Sequence, residues 1–77
     1  MMKFELVLIL CSALYGDCKE PQIYPKLFNS HYDCATSGYL NSITSLQTLG
    51  PETVDKFRLQ VAFNCNEAVS YTHLRAH

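Results

Sequence analysis

The run Phe4 to Leu14, FELVLILCSAL, constrains this chain more than any other feature, because it is the one dense apolar stretch in it. Its unbroken apolar centre, Leu6 to Leu10, is too short to cross a bilayer, which takes roughly 20 apolar residues as helix. Two readings follow. It is the apolar heart of a secretion signal spanning residues 1–16, or it is the buried central strand of a very small domain. Lys3 ahead of the run and the small residues Ala13 and Gly16 at possible cleavage points fit a signal. Glu5 at the mouth of the run, its brevity, and Phe4, Val7 and Ile9 fit a strand. Cysteine arithmetic sides with the strand, since cleavage would leave Cys18, Cys34 and Cys65 as an odd set, whereas retention keeps four.

The chain has 77 residues, enough for one domain with a small core. Such a core is marginal against conformational entropy, and four cysteines are the obvious staples. Their use as disulfides favours an oxidising compartment (periplasm, exterior or virion surface) over the cytoplasm, where four buried thiols would instead behave as small apolar side chains. The formal net charge is −1 and there is no cluster of Lys and Arg, so nucleic acid is not an expected partner.

Beyond the first run, Tyr15-Gly16-Asp17 has turn chemistry. Lys19 to Asn29 reads as a linker, because Pro21 and Pro25 remove backbone donors; Ile23, Tyr24, Leu27 and Phe28 give it enough apolar character to lie over the core as a lid. Ser30 to Leu49 reads as a helix. Ser30 and Asp33 have the spacing of a capping box, and Gly50-Pro51 stops the helix. Tyr32, Ala35, Tyr39, Ile43 and Leu46 recur at helical spacing and are expected to face the core. Pro51 to Lys56 has the makings of one more helical turn. Phe57 to Cys65 alternates, with Phe57, Leu59, Val61, Phe63 and Cys65 on one face, which predicts a half-buried strand paired with the first run.

The last nine residues, Val69 to His77 (VSYTHLRAH), resemble the translation of a transposase-type adapter used in shotgun DNA sequencing. The resemblance implies a read-through, with one small domain over residues 1–68 and an artefactual tail over 69–77. His73 and His77 are then no ligands, and residues 1–68 carry five basic against seven acidic side chains.

The cysteine spacing, C-x6-C-x15-C-x30-C, lacks the C-x2-C knuckle of zinc ribbons and thioredoxin-like sites. Disulfides are the better reading. Cys34 lies off the apolar stripe of the helix, so it is expected to face the linker, and Cys18 opens that linker; Cys18–Cys34 is the pairing this suggests. Cys11 and Cys65 each close a strand and are expected to pair, although their strand parities disagree and a bulge or end twist must absorb the difference. Other pairings stay open, Cys11–Cys18 with Cys34–Cys65 among them.

His31, at the solvated first turn of the helix, reads as a surface residue. Cys34 with His31 three residues before it lacks the third orienting group and oxyanion site of a Cys/His enzyme. Ser30, Ser37 and Ser42 have no nucleophile-elbow context. Tyr24, Tyr32, Tyr39 and Phe28 read as core aromatics rather than a ligand groove. The expectation is no enzyme, no cofactor and no metal.

MKFELVLILCS, the GDC before a proline-containing linker, YDC opening a helix with GY behind it, and a final strand ending FNC together resemble small four-cysteine proteins of marine phage and ocean metagenomes. The resemblance implies architecture and favours the retained strand, with no function attached. The expected fold is α+β: a two-stranded antiparallel sheet packed on one helix, in the order strand–linker–helix–strand, stapled by Cys11, Cys18, Cys34 and Cys65. The expected role is a small binding or accessory module for an unidentified protein partner, with no transmembrane span and its oligomeric state open. The alternative role is a secreted or membrane-peripheral peptide with a cleaved signal at residues 1–16.

Overall fold

The computed structural model describes residues 3–68, so the VSYTHLRAH tail lies outside the described residues. The element order is β1 (Phe4–Ser12), β2 (Asp17–Cys18), β3 (Gln22–Phe28), α1 (His31–Leu49), α2 (Pro51–Phe57) and β4 (Leu59–Glu67). The apolar run is the central strand of an antiparallel sheet. β4 pairs along the whole of β1, from Phe4 opposite Glu67 to Ser12 opposite Leu59. The other edge of β1 takes β3 over its first half and β2 at its end.

The α+β class and the antiparallel pairing of β1 with β4 are as the sequence predicts, but among the described residues the sheet has four strands and there are two helices. The stretch read as a linker carries β3. Pro21 precedes that strand. Pro25 falls in an irregularity where Glu5 pairs Leu27 and Val7 pairs Ile23, so that β3 holds two more residues than β1 over that interval. A proline without an amide donor is tolerated in a bulge on an edge strand, which is where this one sits.

Strand parity sorts the side chains into two layers. Phe4, Leu6, Leu8 and Leu10 of β1 lie on the same face as Phe63 and Cys65 of β4, and the helices cover this face. Leu6 is fully buried there and Phe28 nearly so, with Tyr24 half-buried and stacked on Phe28 at 5.6 Å. The opposite face shows Glu5, Val7, Ile9, Ala62, Asn64, Ile23 and Leu27. The lid expected of β3 is therefore divided: Phe28 and Tyr24 join the core, whereas Ile23 and Leu27 point away and stay exposed.

Helix α1 starts as its sequence dictates. The Ser30 hydroxyl accepts the Asp33 amide at 3.0 Å, and Asp33 lies in the positive first turn. It ends at Gly50, whose N–H donates to the Leu46 carbonyl at 3.0 Å. Gly50 has φ 91° and ψ 156°, a conformation open essentially to glycine. α2 follows with Pro51 at its start and runs to Phe57, so β4 begins two residues later than the alternation alone suggests.

The face that α1 presents to the sheet is the main departure. Cys34 and Gly38 are its buried residues, while Tyr32, Tyr39 and Ile43 are exposed. Of the apolar stripe expected to face the core, these three do not, and Ala35 and Leu46 are half-buried. Gly38 explains why: the helix sits so low over β4 that a Cβ on Gly38 would run into the Phe63 ring, with its Cγ at 2.7 Å. A small-residue face permits this approach, and a tyrosine face would hold the helix off the sheet.

Candidate functional site

The four predicted cysteines all form disulfides, in a different pairing from the one favoured. Cys11 bonds Cys18 and Cys34 bonds Cys65. Cys11 and Cys18 stand directly opposite each other on β1 and β2, across the Ala13–Gly16 turn. Cys18–Cys34 and Cys11–Cys65 fail for one physical reason. Cys11 shares the open face of the sheet with Val7 and Ile9, whereas Cys65 and Cys34 lie on the helix face, where Cys34 is fully buried. No bulge interrupts the β1–β4 register to bring Cys11 and Cys65 to one side. Cys34 faces the sheet, not the linker, and its bond to Cys65, with Cα atoms 6.1 Å apart, rivets α1 to β4. Two disulfides point to an oxidising environment.

That rivet frames the candidate site. Ala68 donates its amide to the Lys3 carbonyl and Arg58 accepts from the Ala13 amide, each at 2.8 Å, which turns the even-numbered peptide groups of β4 towards β1. By alternation, the N–H and C=O groups of Leu59, Val61, Phe63, Cys65 and Glu67 point the other way, to an edge that pairs with nothing among the described residues. Above this edge α1 forms a wall. A groove of about 490 Å³ runs between His31, Ala35 and Tyr39 on the helix and Val61 to Cys65 on the strand. Tyr39 sets its depth by meeting Phe63 edge to face, ring centroids 4.8 Å apart. Unmet backbone groups along one side and an aromatic wall along the other are the elements by which a sheet edge takes up an extended segment.

The two outer edges of the sheet differ. β3 carries Pro25 and Lys26, devices that blunt an edge. β4 has neither proline nor lysine and no charge before Glu67. Sequence reasoning assigns Tyr39 and Phe63 to the core and Cys65 to a disulfide, so it misses the groove. The signal that could have found it is the pairing of a bare alternating strand with a helix whose apolar stripe exceeds what so small a sheet can cover.

The other singled-out residues are dispersed. His31 is exposed at the end of the groove, edge-on to Phe4 at 5.8 Å. Ser30 is engaged as the helix cap and Ser42 donates to the Gly38 carbonyl at 2.7 Å. Tyr24 and Phe28 belong to the core as expected, whereas Tyr32 and Tyr39 do not. Among the described residues no group of three or more His, Cys, Asp or Glu side chains is placed to hold a metal ion, and no helix is long and apolar enough to cross a membrane. No family model matches the chain, and no curated protein and no solved structure matches it.

Proposed function

We propose that this chain is a disulfide-stapled binding or accessory module of an oxidising compartment (periplasm, exterior or virion surface), and that it engages a protein segment along the β4 edge. The observation that carries the reading is the groove itself. It offers backbone donors and acceptors beside an aromatic wall, and Cys34–Cys65 fixes the spacing of wall and edge in advance. Groups of this kind recognise extended backbone and alternate side chains rather than make or break bonds. The cleaved-signal alternative draws no support from the fold, since losing residues 1–16 would remove β1, which pairs with the other three strands. The module reading is tested by panning a random peptide library on the oxidised protein and mapping the selected peptides by amide exchange. Protection of the Val61, Phe63 and Cys65 amides is the expected result. Peptides that protect other residues, or enrichment of nothing by a chain that is monomeric in solution, would overturn it.

A further inference from the structure

The apolar stripe displaced from the core and the bare edge of β4 lie on the same side of the molecule. With Cys34 and Gly38 pointing down into the sheet, Ala35 and Tyr39 flank the β4 edge. At about 100° per residue, Leu46 falls between Ala35 and Tyr39 around the helix, and Tyr32 and Ile43 continue that flank upward. Tyr32, Tyr39 and Ile43 are respectively 74, 66 and 53% exposed. The described fold fully or nearly buries just three apolar side chains, Leu6, Phe28 and Cys34. Chains this small commonly complete a core by association.

We propose that the occupant of the groove is a second copy of this chain, giving a two-fold dimer in which β4 pairs antiparallel with β4 of the partner and the two α1 stripes cover one another. This rests on the reading of the β4 edge as a binding surface and names its partner.

Three features favour the second copy. A two-fold axis perpendicular to a sheet pairs residues of equal parity, so the outward-facing odd residues of one strand meet the outward-facing odd residues of the other. Complete overlap of Leu59–Glu67 with itself centres on Phe63 and satisfies all five outward peptide groups. Tyr39, which packs on Phe63, is thereby brought to the axis in both copies, so its exposed ring is covered by its own equivalent. Antiparallel overlap also carries Glu67 of each copy opposite Leu59 of the other, next to Arg58, at an end where Lys56 is balanced by Asp55 of α2. The opposite edge, with Pro25 and Lys26, is unsuited to the same pairing, so association stops at two.

The test is the mass in solution of the oxidised full chain, measured by sedimentation over a range of concentrations. A species of twice 8.7 kDa is expected. Tyr39→Lys and Tyr39→Asp, at an exposed position, should each keep the far-ultraviolet dichroism and weaken the dimer at least about tenfold. An equimolar mixture of the two should restore association, because the variants meet at the axis with opposite charge. Ile43→Lys should weaken it too. A monomer at every concentration overturns the dimer. If library peptides then protect the odd β4 amides, the binding-module reading stands without it; if none do, both fall. A dimer indifferent to all three substitutions also overturns the proposed interface.

Discussion

Gly38 of α1 lies on the ring of Phe63 with no room for a side chain between them: a methyl at Gly38 would meet Cδ1, Cε1 and Cγ of that ring, the last at 2.7 Å. Helix propensity alone says Gly38→Ala should stabilise α1 by about 1 kcal/mol. Contact with Phe63 reverses the sign. Gly38→Ala is expected to destabilise the protein by about 1 to 3 kcal/mol, the usual range for overpacking a tight contact. Denaturant unfolding checks this, and a raised midpoint would show that the ring gives way freely.

The two disulfides should contribute unequally. They span sequence separations of 7 and 31. In chain-entropy terms the shorter loop is worth about 2 kcal/mol and the longer about 4. Replacing Cys34 and Cys65 together by alanine should therefore lower stability more than replacing Cys11 and Cys18, and it also removes the rivet between helix and edge strand. Peptide mapping without reductant should recover Cys11–Cys18 and Cys34–Cys65. A Cys18–Cys34 peptide would contradict the fold.

Ser12 closes the far end of the sheet. Its hydroxyl donates to the Phe57 carbonyl at 2.7 Å and accepts the Tyr15 amide at 3.2 Å, so one side chain ties the β1–β2 turn to the end of α2. Ser12→Ala should cost about 1 to 2 kcal/mol, more than a typical surface substitution, because it leaves a partly buried carbonyl without that donor. Thermal unfolding followed by circular dichroism measures it.

Ser30→Ala removes the acceptor of the Asp33 amide at the start of α1. A loss of about 1 kcal/mol is expected, and Ser30→Asp should restore most of it. An unchanged melting curve for the alanine variant would mean that the cap contributes nothing to the fold.

Much of this architecture is legible in the residues. Ser30 and Gly50-Pro51 bracket α1, and the alternation after Phe57 places the odd side chains of β4 on the helix face. Periodicity gave α1 an apolar stripe but could not say what the stripe meets. Sheet contact was decided by closeness of approach, and Cys34 and Gly38 permit an approach that Tyr39 does not. Pro21 and Pro25 masked β3 because their signal is the same in a linker and in a bulged edge strand. The cysteine pairing was nearer to hand. The opposed parities of Cys11 and Cys65 argue against their bond, and the turn residues between Cys11 and Cys18 favour a hairpin staple. The candidate groove was the least legible part, since it depends on where α1 sits over β4, and no local pattern carries that.

The pairing of Phe4 with Glu67 makes the first strand wait for the last. During synthesis β1 emerges early, but its full-length partner follows only after both helices have been made. The early hairpins can form, yet they leave the helix-facing row from Phe4 to Leu10 without β4 beside it. Long-range strand pairing of this kind folds slowly compared with local structure. Cys65 lies on that same late strand, so the bond that holds α1 to the sheet must await the making of β4.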